Sequence, residues 1–129
     1  MEVTIFASFL SLNANAPNIL DMDVCIVFEM MIFPCNQFGR QEPGDPHEIK
    51  NFARGNGYEG IIMKKGGVDG FETQETFRFL KHKTGKAQIS WNFDGKFVID
   101  HKGNAHAIGD EDPVKFIQSV LSGDIYKDL

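Results

Sequence analysis

The sequence predicts a single α/β domain in which a mixed central sheet carries helices on both faces. Three observations predict it. Short apolar runs of strand length recur between clusters of Gly, Pro, Asn and Asp. Other segments place apolar residues at helical spacing behind an N-terminal cap. The two kinds of segment alternate along the chain, as they must when helices cross over a sheet. With 129 residues, 42% of them hydrophobic and 24% charged, and with twelve Phe, the chain can fill one core but not two, and disorder is excluded.

Residues 3–12, VTIFASFLSL, form a continuous apolar run that reads as a buried strand. The run also has the length of a secretory leader's apolar stretch, and Ala14-Asn15-Ala16 resembles a cleavage site. Glu2 stands where such leaders carry positive charge, and Pro17 would follow the scissile bond, so the strand is preferred. The run is too short to cross a bilayer as a helix. Residues 28–33, FEMMIF, end in Pro34 and read as a second buried strand entering a loop, with Cys35 just past its carboxyl end.

The loop over residues 36–46 is punctuated by Gly39, Pro43-Gly44 and Asp45-Pro46. Asp45 can cap the helix that follows, with Pro46 in its first position and Glu48 completing a capping box, so a helix is predicted over residues 46–53 with a stop at Gly55. Residues 58–63 read as a loop leading to a short strand, and Gly66-Gly67 to Gly70 as a turn region. Thr76, Phe77 and Leu80 at helical spacing predict an amphipathic helix over residues 73–81, whose end carries Lys81, His82 and Lys83, where the helix dipole favours cations.

Residues 87–93 and 96–100 read as two strands hinged at Asp94-Gly95, residues 101–104 as a further turn, and residues 105–108 as a returning strand. Asp112-Pro113 opens a last helix with Val114, Ile117, Val120 and Leu121 on one face and Gly123 closing it.

Charge and cysteine usage narrow the function classes. The net charge is −5 and no basic cluster exceeds Lys64-Lys65, which argues against a nucleic-acid partner. Cys25 and Cys35 lack Cys-x-x-Cys spacing and read as reduced thiols, and with only His47 to add they do not make a structural zinc site, so no metal is expected.

One stretch is unusual. Residues 33–44, FPCNQFGRQEPG, hold one cysteine, three side-chain amides, two prolines and two glycines beside a strand. Together with His47-Glu48-Ile49-Lys50-Asn51-Phe52-Ala53, this stretch resembles the second signature of the glutathione peroxidases. Further on, Ile89-Ser90-Trp91-Asn92-Phe93 and Lys96-Phe97-Val98-Ile99-Asp100 resemble that family's Trp-Asn-Phe segment and the strand after it. Between them, Val68-Asp69-Gly70 and Phe77-Arg78-Phe79-Leu80-Lys81 are similar to its Val-Asn-Gly turn and following helix, at unbroken spacing.

The resemblance implies one thioredoxin-like domain over residues 1–129, with 28–122 family-like and 1–27 divergent. It implies an oxidoreductase of the oxidative stress response, reducing hydrogen peroxide or lipid hydroperoxides with a thiol donor. Glutathione or thioredoxin would be the reducing co-substrate, with no other cofactor. By the same resemblance, the Gln41 amide, the Trp91 indole N–H and the Asn92 amide are the donors that hold a chalcogen anion at the site. Neutral donors stabilise developing charge without forming an ion pair that blunts the nucleophile. Asn36 and Gln37 are expected to fasten the loop's own backbone. The short stretch over residues 83–90 lacks the insertion of tetrameric relatives and implies a monomer, and a cytoplasmic location is expected.

The chain departs from the family in three places. Its first signature, which supplies the peroxidatic Cys or selenocysteine, is not found, and the nearest trace, Ala7-Ser8-Phe9-Leu10-Ser11, puts Leu10 in the nucleophile's place. Cys35 matches a non-catalytic cysteine, and Cys25 is expected in the helix or turn before the FEMMIF strand. Arg54 follows Phe52-Ala53 where a resolving cysteine would stand, which excludes a disulfide relay through that helix. Finally, Asp94-Gly95-Lys96 is one residue longer than usual. Two explanations are consistent with a missing nucleophile: a degenerate, catalytically inactive interaction module, or an incomplete gene product whose selenocysteine codon was read as a stop. Truncation would leave the sheet without its central strand unless residues 3–12 replace it.

Overall fold

A computed structural model describes residues 3–12, 24–91, 94–100 and 102–122. Five strands form one mixed sheet: β1 (Val3–Leu12), β2 (Val24–Phe33), β3 (Ile61–Ile62), β4 (Lys96–Ile99) and β5 (Ala105–Ile108), in the order β3-β2-β1-β4-β5. Three helices accompany them: α1 (Pro46–Gly55), α2 (Glu75–Thr84) and α3 (Pro113–Ser122). The α/β mixture and the alternation follow the sequence prediction.

The run VTIFASFLSL takes the central place. β1 pairs antiparallel with β2, Val3 opposite Phe33 and Leu12 opposite Val24, and parallel with β4, Ile5 opposite Phe97. Because β2 runs against β1 and β4 runs with it, the carboxyl end of β2 and the amino end of β4 lie at the same end of the sheet. β2 is longer than its FEMMIF core and includes Cys25, which is therefore a strand residue and not part of a helix or turn. The stretch over residues 14–17 lies outside the described residues.

Successive residues of a strand face opposite sides, and β4 shows what each side buries. Phe97 joins Phe33, Cys35, Phe38, Val68, Ile89 and the α2 residues Phe77 and Leu80 in the larger core cluster. Val98 joins Ile108 and the α3 residues Ile117 and Val120 in a second cluster. α2 and α3 therefore cover opposite faces. In the larger cluster the Phe77 ring meets Phe33 edge-on at 5.1 Å and Phe97 at 6.1 Å, the preferred geometry for aromatic quadrupoles.

The helix boundaries obey the cap chemistry. Asp45 Oδ1 accepts the Glu48 N–H at 2.9 Å while Glu48 Oε2 accepts the Asp45 N–H at 2.9 Å, so the predicted capping box is formed. Gly85 ends α2 at φ 73°, its N–H donating to the Lys81 carbonyl at 2.9 Å. The β4–β5 turn is held by the buried Asp100, whose Oδ1 accepts the N–H groups of Lys102 and Asn104 and whose Oδ2 is 3.1 Å from His106 Nε2.

Three sequence expectations are corrected. Residues 87–91 form no strand, and β4 pairs with β5, not with the segment before it. The reason is local: the Asp94 carboxylate accepts Ser90 N–H at 2.9 Å, Ser90 Oγ–H at 3.2 Å and Lys86 Nζ at 3.0 Å, and this side-chain pairing competes with a hairpin ladder. Val114 is 61% exposed, so the buried face of α3 rests on Ile117 and Val120, and Gly123 lies outside the described residues. On α2, Phe77 and Leu80 are buried but Thr76 is exposed.

Candidate active site

The loop after β2 turns back on itself at Gly39 (φ 64°) and Arg40 (φ 53°), two successive left-handed residues. A left-handed residue other than glycine costs roughly 1–2 kcal/mol, so Arg40 holds this conformation against its own preference. The reversal brings Gln41 back over the loop. A Cβ on Gly39 would lie 3.5 Å from both Cγ and Nε2 of Gln41 and 3.3 Å from Trp91 Cη2. Gln41 and Trp91, fifty residues apart in the chain, thus meet around one glycine that has neither side chain nor ordinary φ. Trp91 rests against Phe38, ring centroids 6.1 Å apart, and remains 53% exposed. Gln41 is exposed as well. Asn92 lies outside the described residues.

The amides of the loop divide the work. Asn36 Oδ1 accepts the Glu42 N–H at 2.9 Å and fastens the loop to itself, as predicted. Gln37 instead reaches another segment. Its Oε1 accepts the N–H groups of Val68 at 2.8 Å and Asp69 at 3.1 Å, and its Nε2 donates to the Asp69 carbonyl at 2.9 Å. Lys65 ties the far side of the loop by donating to the Gly44 carbonyl at 2.6 Å and the Glu42 carbonyl at 3.3 Å.

Two carboxylates hold the Trp91 segment, and in the sequence both stand in turns. Asp69 Oδ1 accepts the Ile89 N–H at 3.1 Å and pairs with Lys81 Nζ at 2.6 Å. Asp94 closes the turn around Trp91, its own N–H donating to the Trp91 carbonyl at 3.2 Å. A carboxylate spaced from a lysine across a helix or turn was the only signal available, and it is common on protein surfaces.

The hydrogen bond from Lys81, followed by that from Ile89, lowers the pKa of Asp69, and the Ser90 backbone N–H, followed by Lys86, lowers that of Asp94. A depressed carboxylate pKa stabilises the fold fully above the unfolded value, about 3.9 for Asp, and loses that contribution as pH falls through the folded value. Trp91 is the chain's single tryptophan. Its emission, followed from pH 8 downward (roughly four units above the unfolded Asp value), should stay constant until the pH passes below that value and then change. A transition centred near neutral pH would contradict this assignment.

The candidate nucleophiles do not reach this site. Cys35 is fully buried in the core, its Sγ–H donating to Gln37 Oε1 at 3.4 Å, and a thiol so enclosed is structural. Leu10 pairs with Ile26 and Cys25 with Ser11. Leu10 is thus seven positions from Val3, roughly 23 Å along the strand, at the opposite end of the sheet from the loop. The antiparallel run of β1 is responsible: a parallel strand would have put residues 10–12 beside the end of β2. Arg54, in the resolving cysteine's place, donates from Nη1 to the carbonyls of Tyr58 at 2.6 Å and Gly60 at 3.0 Å and so ties the end of α1 to the chain entering β3.

Comparison with known proteins decides the family. The family model described as "Glutathione peroxidase" matches residues 17–81, half of the chain. The chain belongs to the glutathione peroxidase family. It is 43% identical over 84 residues to the glutathione peroxidase-like peroxiredoxin HYR1 of Saccharomyces cerevisiae, covering 61% of this chain and 51% of that protein. It is 44% identical over 78 residues to the mitochondrial glutathione peroxidase 1 of Chlamydomonas reinhardtii, covering 57% and 38%. With the chloroplastic phospholipid hydroperoxide glutathione peroxidase 1 of Arabidopsis thaliana it shares 48% over 80 residues, covering 59% and 34%.

The chain therefore spans about half the length of the first of these relatives and little more than a third of the others. Within the glutathione peroxidase match lie Gln41, Gln37 and Asp69, whereas Trp91 lies ten residues beyond its end. The relatives include forms named for mitochondria and chloroplasts, and among the described residues no helix is long and apolar enough to cross a membrane.

Proposed function

We propose that the chain is built for thiol-dependent reduction of hydrogen peroxide or lipid hydroperoxides, and that it contributes the donors which steady the anion in that reaction. The single observation that carries this reading is the meeting of Gln41 Nε2 and Trp91 Cη2 around Gly39. Asn92, next in the chain, is the third donor of the proposal.

In the reaction, a thiolate or selenolate attacks the terminal oxygen of the hydroperoxide and the O–O bond breaks. The chalcogen becomes a sulfenic or selenenic acid, and the alkoxide takes a proton and leaves as alcohol or water. One thiol then displaces water to form a mixed disulfide, and a second releases the oxidised dithiol and restores the nucleophile. Amide and indole N–H groups aimed at the developing negative charge lower the barrier of the first step. Such donors cannot attack peroxide themselves, and none of Leu10, Cys25 and Cys35 stands at their site.

The thioredoxin-like fold of the proposal is supported by the mixed sheet with α2 and α3 on opposite faces. Glutathione or thioredoxin is the proposed reductant, without cofactor or metal, and the proposed form is a cytoplasmic monomer. The alternative, an inactive thioredoxin-fold interaction module, is favoured by the same lack of a nucleophile beside Trp91.

The direct test mixes the chain with hydrogen peroxide and glutathione, or with thioredoxin, before and after alkylation of Cys25 and Cys35. Turnover that alkylation abolishes supports the thiol-peroxidase reading and makes one of those cysteines the nucleophile, whereas consumption no faster than buffer leaves the interaction-module reading.

A further inference from the structure

We infer that Asp69 is a positioning residue that holds Gln41 and Trp91 in register with each other. For its catalytic meaning this rests on the proposed peroxidase reading; for its geometry it rests on the hydrogen bonds alone. Asp69 is bonded to both segments. Through its peptide it is bracketed by the Gln37 carboxamide, which accepts its N–H at 3.1 Å and donates to its carbonyl at 2.9 Å, and Gln37 lies four residues before Gln41. Through its carboxylate it accepts the Ile89 N–H at 3.1 Å, two residues before Trp91.

The Trp91 segment depends on such a hold because residues 87–91 belong to no strand and have no ladder to fix them. Ile89 is buried, and removing the carboxylate takes away the hydrogen-bond partner of its N–H. The carboxylate is itself aimed by Lys81, 2.6 Å away on the buried-face turn of α2 that also carries Leu80 and Phe77. A rigid helix thus fixes the ammonium, the ammonium fixes the carboxylate, and the carboxylate fixes the backbone entering Trp91. The tilted contact of Phe38 with Trp91 also links the two segments, but it sets no unique angle.

Trp91 reports on this directly, since its emission is the chain's only indole signal. The experiment compares emission and acrylamide quenching of the full chain with those of Asp69→Ala, Asp69→Asn and Lys81→Met, without peroxide. Asp69→Ala is expected to red-shift the emission and raise the quenching constant about two-fold as the segment opens locally. Asp69→Asn keeps an acceptor oxygen for Ile89 and should remain close to the starting protein. Lys81→Met leaves the carboxylate without its guide and should move the signal in the same direction as the alanine variant by a smaller amount, which keeps the test available if Asp69→Ala does not fold.

Unchanged emission and quenching in the alanine and methionine variants, with helix content intact by circular dichroism, would overturn the inference. So would a fall in Tm with the native-state signal unmoved, because such a residue holds the fold and not the indole. No step of this experiment involves hydroperoxide, so failure of the peroxidase reading and failure of the positioning role are separate outcomes.

Discussion

Phe77→Ala is expected to destabilise the protein by about 3–5 kcal/mol, the cost of removing a large aromatic ring from a closed core. Phe77 has no exposed surface and contacts the rings of Phe33 and Phe97 at once, on the α2 side of the sheet. It therefore joins three elements, and its loss opens a cavity between β2, β4 and α2 that smaller neighbours cannot fill. The change approaches the whole stability of an ordinary domain, about 5–15 kcal/mol, and corresponds to a fall in Tm of roughly 10–25 °C. Thermal or urea unfolding followed by circular dichroism measures it. A loss below about 1 kcal/mol would mean that α2 does not pack as described, since surface substitutions fall in that range.

A second large effect is expected from supplying the missing nucleophile. The sheet brings the loop that carries Gln41 and the segment that carries Trp91 to the end of β1 that begins at Val3, opposite Phe33 and two residues before the Phe97 partner Ile5. Successive positions of a strand alternate between the two faces of a sheet, so of cysteines placed at positions 3 and 4 only one would be on the face of the donors. One of the variants Val3→Cys and Thr4→Cys should form a sulfenic acid with hydrogen peroxide faster than an ordinary thiol, and adding Gln41→Ala should cut that rate by about 10²-fold, the usual cost of losing one donor to a developing anion.

Leu10→Cys serves as the contrast. Letter-matching puts the nucleophile at residue 10, whereas topology puts that residue at the wrong end of the sheet. Dimedone labelling of the three variants distinguishes them. If Leu10→Cys alone is activated, the antiparallel placement of β1 is wrong. If none is activated, the donors serve no peroxide chemistry in this chain, and the interaction-module reading takes its place.

Much of the fold was legible locally. Asp45 with Glu48 announced the start of α1, and the cations Lys81, His82 and Lys83 the last turn of α2, because caps and helix-end charges act on residues adjacent in sequence. The hairpin predicted through Asp94-Gly95 failed for the same kind of reason. A carboxylate four residues from Ser90 can satisfy backbone N–H groups that a strand would have paired, and apolar letters in residues 87–93 do not reveal which partner wins.

The sequence by itself determined the alternation of strands and helices, the family signature around Gln41, the lack of a nucleophile within it and the replacement of the resolving cysteine by Arg54, since each is a matter of residue type and spacing. Only the tertiary structure decided that β1 fills the centre of the sheet in antiparallel sense to β2, that Leu10 and Cys25 lie far from the loop, and that Asp69 links Gln37 to Ile89. The physical reason is that strand direction and contacts between residues twenty or more positions apart arise from burial and pairing summed over the whole sheet, and no local run of letters carries that sum.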